Sequence, residues 1–401
     1  MLASALLFLI AIFASFSPVY AGLSERIHQV VPQRRHHHRN LYGHPYKRSS
    51  VPPGPCGPKK GKNETRIVTP TTSSTAPKST PSKPADNTTD TYQGHIAAQK
   101  NPKNGGTYKL IDMYNGNNFF DGFDFFNLRD PTHGLVNYLG RTDAMKKRLA
   151  YVDNGVVVMK VDDTTPGHKL RHGKRDSVRI ATKKRYGGGL FVLDIGSMPY
   201  GDSVWPAFWT VGKGWPHNGE IDIIEGANLA TRNQYTLHTG PGCAIDTSPS
   251  VLSEALIGNV GNKQCGSTKD SNEGCAFRDS EDTSYGTGLK NAGGGVFAML
   301  WDSHAIRIWR FTPDNVPSDL KSQTPNPNSW DKKFLRAHWA SSTCDIQKHF
   351  KGHAITFNIA LCGDLADAAH KGGGAACAAV VRDPGNLKNA VWKINSLQVY
   401  Q

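Results

Sequence analysis

From Thr107 onward the chain alternates short apolar runs with clusters of Gly, Pro, Asn and Asp. Val156-Val157-Val158-Met159, Val178-Arg179-Ile180, Leu190-Phe191-Val192-Leu193, Phe297-Ala298-Met299-Leu300-Trp301, Ala305-Ile306-Arg307-Ile308-Trp309-Arg310 and Ile355-Thr356-Phe357-Asn358-Ile359 are strand-sized, rich in β-branched or aromatic residues and bounded by turn formers. The closing segment Ile394-Asn395-Ser396-Leu397-Gln398-Val399-Tyr400-Gln401 alternates in the manner of a half-buried strand. Long stretches of helical period are scarce. The pattern therefore predicts an all-β fold, an antiparallel sandwich, in one large domain spanning residues 106–401.

One run breaks this pattern chemically. Gly219-Glu220-Ile221-Asp222-Ile223-Ile224-Glu225-Gly226 sets three carboxylates into an otherwise β-branched strand. Side chains at i and i+2 share a face, so Glu220 and Asp222 point together, while Glu225 should point the other way. An extra residue at Ile223-Ile224, taken up as a β-bulge, would return Glu225 to their face. The two glutamate backbones would then be roughly 13 Å apart at ~3.3 Å per step, and long side chains leaning inward close much of that gap. A carboxyl separation of about 5 Å suits a retaining glycosidase, against roughly 6.5–9.5 Å for an inverting one.

Each residue type has a chemical reason. One glutamate must be ionised to attack an anomeric carbon and the other protonated to donate to the leaving oxygen, so their proton affinities must be pushed apart. Asp222 is too short to reach the sugar as Glu220 does, and it is placed to share a hydrogen bond or proton with it. A solvated acidic strand face is the plain alternative. Trp205, Trp209 and Trp215, crowded just upstream, weigh against it.

The rest of the chain sets the context. Leu2 to Phe16 is apolar apart from Ser4 and Ser15 and is followed by Pro18-Val19-Tyr20-Ala21, which predicts a secretory signal over residues 1–21. The run is shorter than the ~18–20 residues of a membrane span, and no hydrophobic tail follows the last strand, so neither a transmembrane nor a C-terminal lipid anchor is expected. Residues 22–105 are rich in Pro, Ser, Thr, Lys, Arg and His, the composition of a disordered tail or linker. Asn63-Glu64-Thr65 and Asn87-Thr88-Thr89 are N-glycosylation acceptors, and Thr69 to Pro84 resembles an O-glycosylated stalk. Arg34-Arg35 and Lys47-Arg48 are either processing sites or part of a basic tail.

The net charge of +14 is concentrated in that tail, which carries 14 Lys and Arg against 4 Asp and Glu, leaving 33 against 29 elsewhere. A nearly balanced folded part argues against a nucleic-acid partner. His36-His37-His38 lacks the spaced partner ligands of a metal site and reads as a solvated basic run. Neither a metal nor an organic cofactor is expected. Of seven cysteines, Cys56 lies in the tail. The other six, Cys243, Cys265, Cys275, Cys344, Cys362 and Cys377, suggest up to three disulfides among fifteen possible pairings.

The Glu-x-Asp-x-x-Glu strand, preceded by Trp205-Pro206-Ala207-Phe208-Trp209 and Trp215-Pro216-His217-Asn218-Gly219, resembles glycoside hydrolase family 16. Its fungal laminarinase-like branch of endo-1,3(4)-β-glucanases is the nearer match. Asn127 to Tyr138, Ser177-Val178-Arg179-Ile180, Leu237-His238-Thr239, Cys362-Gly363-Asp364 and Trp392-Lys393-Ile394-Asn395 extend the similarity over essentially the whole folded part.

This resemblance implies a concanavalin-like β-jelly roll of two curved antiparallel sheets with an open cleft for a linear glucan. It implies Glu220 as nucleophile, Asp222 as its assistant and Glu225 as acid/base. It matches Trp205 and Trp215 to positions that stack on glucosyl rings, and His238, Arg179 and Asn137 to polar positions lining the cleft. Arg179 pairing with a carboxylate and His238 as an interior histidine are equally open readings. Trp301 and Trp309, in apolar strands, are expected in the core. Where the family usually carries a tryptophan after Cys-Gly-Asp, this chain has Leu365, and Gly372-Gly373-Gly374-Ala375-Ala376 suggests a remodelled loop.

The expected function is a secreted, monomeric, retaining endo-β-glucanase acting on β-1,3 or mixed β-1,3/1,4 glucan. A cell-wall glucan transglycosylase using the same carboxylates is the second reading, and a glucan-binding lectin-like module the third. The intact carboxylates argue against the third, because desolvating ionisable groups gains a mere binder little.

Overall fold

A computed structural model describes residues 95, 108–252, 260–268 and 271–401. The predicted signal segment, Cys56, the histidine cluster, the glycosylation acceptors and the dibasic pairs lie outside the described residues.

The β-branched runs pair into two antiparallel sheets. One has seven strands in the spatial order Cys275–Arg278, Gln234–His238, Glu220–Glu225, Val204–Val211, Ala354–Leu361, Arg179–Thr182 and Phe123–Phe125. The other has eight, with Gly189–Ser197 at its centre between Gly295–Trp301 and the C-terminal Val391–Tyr400. Chain neighbours are often not sheet neighbours: Val204–Val211 is flanked by Glu220–Glu225 on one side and by the distant Ala354–Leu361 on the other. This is a β-jelly-roll sandwich.

The sandwich forms because alternate residues of both sheets are large and apolar. Phe208, Ile221, Leu237, Phe277 and Phe357 from one sheet join Phe191, Leu193, Phe297, Met299 and Leu397 from the other in a single buried cluster. Trp301 and Trp309 are both buried, as their apolar strands predict. The far face of the eight-stranded sheet is covered separately, with Leu300, Trp309 and Phe311 under Trp330. Among the described residues, the far face of the seven-stranded sheet carries a small apolar patch of Ala207, Trp209 and Val211 with Trp215 against it.

Six cysteines form three bridges, Cys243–Cys344, Cys265–Cys275 and Cys362–Cys377. The last anchors the segment read from sequence as a remodelled loop. That reading is corrected: Gly372 is the left-handed cap of the helix Gly373–Arg382, and Cys377 on this helix ties it to the end of Ala354–Leu361. A run of glycines and alanines carries little helical period of its own, and the tertiary tether supplies what propensity lacks. Among the described residues, no helix is long and apolar enough to cross a membrane.

Candidate active site

Glu220–Glu225 lies between Val204–Val211 and Gln234–His238. Across the first of these neighbours Glu220 faces Val211, Asp222 faces Trp209 and Glu225 faces Ala207, with the register shifting between Asp222 and Ile224. That shift is the bulge. Ile221, Ile223 and Ile224 all sink into the core. The three carboxylates are left together on the outer face, with Trp209 and Ala207.

Gly219 sets the entry to this strand. Its φ is +77°, and an added Cβ would stand 2.4 Å from the Phe350 ring and 2.6 Å from the His349 carbonyl, so only glycine passes here.

One row of side chains runs across four strands, from Glu225 through Ala207 and Asn358 to Arg179. Trp209 donates its indole N–H to Asn358 Oδ1 at 2.7 Å. The Arg179 guanidinium sits 4.9 Å from the ring centres of both Trp209 and Phe126, and 4.0 Å from the buried Asp130 carboxylate. Arg179 thus pairs with a carboxylate, and its positive charge also favours the ionised form of Glu220.

The two glutamates each accept an indole N–H. Trp205 donates to Glu225 at 3.1 Å and Trp215 to Glu220. His238, directly opposite Glu220 in the sheet, brings Nε2 to 3.5 Å from Asp222 Oδ2 and Nδ1 to 3.3 Å from Ser267 Oγ. Its ring centre lies 6.4 Å from that of Trp215. Asp222 Oδ2 is itself buried and receives no hydrogen bond.

These surroundings raise all three proton affinities. Burial acts first on Glu220, then the Glu225 charge, with the Trp215 N–H and Arg179 opposing. Burial also leads for Asp222, reinforced by both glutamates, and for Glu225, where the Trp205 N–H opposes. The cluster therefore titrates as a unit and holds protons at a pH where free carboxylates have lost them. Because both glutamates accept an indole N–H while Asp222 Oδ2, among the described residues, accepts none, the arrangement favours a proton on Asp222 beside an ionised glutamate. A cluster of acids partly protonated and partly ionised can both donate a proton and attack as a nucleophile.

Asn137 is not brought into this group. Its amide donates to Asp176 at 2.6 Å, in the short parallel pair of Val136–Tyr138 with Arg175–Ser177. It lines a separate basic recess with Lys147, Lys169 and Lys174. Strand alternation is the reason: Tyr138, one step on, turns inward against Phe126, where burial first and then the Asp130 charge raise the proton affinity of its hydroxyl.

Several residues near the carboxylates escaped the sequence reading. Gln234 and Thr236 share the outward face of one strand with His238, the three standing opposite Glu225, Asp222 and Glu220 respectively. Thr356 and Asn358 are the polar positions of an otherwise apolar one. Period-two polarity in Gln234-Tyr235-Thr236-Leu237-His238 and Thr356-Phe357-Asn358 is the signal that could have found them.

Asp364 at the start of helix Asp364–Ala369 meets His133 at 2.9 Å, and Asn228 holds the Ala366 carbonyl at 3.0 Å. Leu365, on the first turn, is 37% exposed. Among the described residues the one cluster with metal-ligand atoms in reach is Cys362, Asp367 and Cys377. Its sulfurs are bonded to each other and are not thiolate ligands.

Comparison with known proteins agrees with this geometry. The family described as "XgeA-like, catalytic GH16 domain" matches residues 123–400. A probable glycosidase of Schizosaccharomyces pombe is 40% identical over 300 residues, spanning 74% of this chain and 70% of its own length. An endo-1,3(4)-beta-glucanase of Arthroderma benhamiae is 40% identical over 306 residues, and this chain spans 65% of its length. Laminarinase 16A from Phanerochaete chrysosporium, solved with two β-glucans in donor and acceptor sites, superposes with a TM-score of 0.67 at 35% identity, over 73% of this chain and 99% of that one. An elongating family 16 β-1,3-glucosyltransferase does so with a TM-score of 0.67 at 33% identity, over 74% and 100%.

Proposed function

The chain belongs to glycoside hydrolase family 16, and from that premise we propose that it is a secreted, retaining endo-β-glucanase hydrolysing internal β-1,3 or mixed β-1,3/1,4 bonds. The observation that carries the reading is the bulged strand, which sets Glu220, Asp222 and Glu225 on one face beside two indole donors.

In this mechanism Glu220 attacks the anomeric carbon while Glu225 protonates the departing glycosidic oxygen, leaving a glycosyl ester on Glu220. Glu225, now a carboxylate, removes a proton from an incoming water, whose oxygen displaces Glu220 from the same face that the leaving group vacated. Asp222 holds the proton that Glu220 gives up on becoming the nucleophile. Trp205 and Trp215 have rings as well as N–H groups at the site and present flat apolar surfaces to the C–H faces of glucosyl units. His238 and Arg179 hold the polar edges of the trough. The apolar N-terminal run and the Pro/Ser/Thr-rich stretch after it support a secreted enzyme, acting as a monomer on β-glucan.

A second reading is glucan transglycosylation, in which a sugar hydroxyl replaces water at the same ester. The likeness to the elongating glucosyltransferase favours keeping it. Incubation with laminarin, lichenan, cellulose and xyloglucan, followed by sizing of the products, tests both. Shortened laminarin or lichenan chains with accumulating reducing ends are expected. Longer chains would favour transfer, and inertness toward all four would overturn the proposal.

A further inference from the structure

Resting on that reading, we propose that Asn233 is a positioning residue, the clamp that fixes the bulge and so sets where Glu225 stands relative to Glu220. The register shows the need for one. Between the paired positions Asp222–Thr236 and Glu225–Gln234, the catalytic strand has two residues, Ile223 and Ile224, where its neighbour has only Tyr235. A two-against-one mismatch breaks the backbone ladder locally and leaves peptide groups of the longer strand without ladder partners.

The Asn233 side chain takes up those groups. Its Oδ1 accepts the Glu225 backbone N–H at 3.0 Å, and its Nδ2 donates to the Ile223 carbonyl at 2.9 Å. One primary amide thus replaces both partners of a missing ladder rung, bracketing Ile224 and ending at the residue that carries the carboxylate. No other common side chain of this length both donates and accepts in this way: aspartate only accepts when ionised, and leucine does neither.

The clamp is itself held. Asn233 is fully buried. Its own N–H donates to Ser284 Oγ at 3.0 Å, and its carbonyl accepts from the Asp279 N–H at 2.9 Å. Ser284 is fixed in turn by donating to the Glu281 carbonyl at 2.6 Å. Its backbone is fastened to the 279–284 segment, and its side-chain amide reaches over to the bulge. Losing it frees the bulge to slide along the strand, and a one-residue slip turns Glu225 to the opposite face.

The test is steady-state kinetics on laminarin with Asn233→Ala and Asn233→Asp, beside Leu300→Ala on the far face of the other sheet as a destabilised control. Measurements are made where circular dichroism shows each protein folded. Asn233→Ala is expected to lose about 100-fold in kcat, the order of effect of a 1 Å misplacement, with KM within about threefold. Asn233→Asp, which keeps the acceptor, should fall about tenfold. In both, the alkaline limb of the pH profile should move down as the glutamates separate and repel each other less. Leu300→Ala should lose stability while keeping kcat within about twofold. A folded Asn233→Ala with kcat within about threefold of wild type overturns the proposal. If Asn233→Ala does not fold, an unchanged kcat and pH profile in Asn233→Asp overturns it equally. Wild-type inertness toward laminarin would instead sink the glucanase reading itself.

Discussion

The indole N–H of Trp205 donates to the Glu225 carboxylate over 3.1 Å, from a strand immediately beside the one that carries the acid. This bond favours the ionised form of Glu225 against burial, which pushes the other way. Trp205→Phe keeps the ring and removes the donor. The proton on Glu225 should then be held to higher pH, so the alkaline limb of kcat moves up, while kcat at its optimum falls about tenfold, the scale of one hydrogen bond to a charged group. A pH–rate profile on laminarin checks it, and an unmoved limb would contradict the bond's role.

Glu220 carries a stability cost as well as chemistry. Burial and the Glu225 charge raise its proton affinity from 4.5 to about 8. Below the unfolded value both states are protonated and there is no penalty. As pH rises through the window to about 8 the folded cluster alone keeps a proton, shared between Glu220 and Asp222, that the unfolded carboxylates have lost, so stability declines across it. Glu220→Gln should therefore match the wild-type melting temperature near pH 4 and exceed it above pH 8, while losing hydrolysis. Melting curves at the two pH values decide this, and equal curves at both would count against a buried, coupled carboxylate.

Arg179 joins the site to the sheet through two aromatic rings and one buried carboxylate. Arg179→Met leaves Asp130 buried without its cation and should cost about 3 kcal/mol. Arg179→Lys keeps the charge but not the planar contact with Trp209 and Phe126, and about 1–2 kcal/mol is expected. Urea unfolding would measure both, and a Lys variant as damaged as Met would mean that the charge contributes nothing.

Leu365 stands exposed on the helix Asp364–Ala369, which is flanked by Cys362–Cys377 and held by Asp364 against His133. Leu365→Trp should restore a flat platform there and lower KM for laminarin roughly three- to tenfold, with kcat little changed, the scale of about 1 kcal/mol of ring contact. An unchanged KM would place Leu365 outside the path of the glucan.

What the sequence disclosed and what it hid follow from the range of the interactions. The carboxylate strand is local information: alternation fixes the face of Glu220 and Asp222, and the three-residue step to Glu225 announces a bulge. The polar positions of Gln234–His238 were equally local and were simply not read by parity. Arg179, Asn358 and Ala207 fall into one row with Glu225 only because strands far apart in sequence become neighbours in the sheet, which alternation cannot foretell. Asn137 lies apart from the carboxylates, bonded to Asp176, because its one-step offset from Tyr138 turns it to the other side of its strand. The helix Gly373–Arg382 was hidden because its stability comes from a disulfide and packing rather than from its own residues.

The face shared by Glu220 and Glu225 is tested most directly by the anomeric configuration of the first sugar released. Proton NMR during laminarin hydrolysis should show the β-anomer of the new reducing end first, with the α-anomer rising only at the rate of mutarotation. An initial α-anomer would require a water between widely separated carboxyls and would contradict the account.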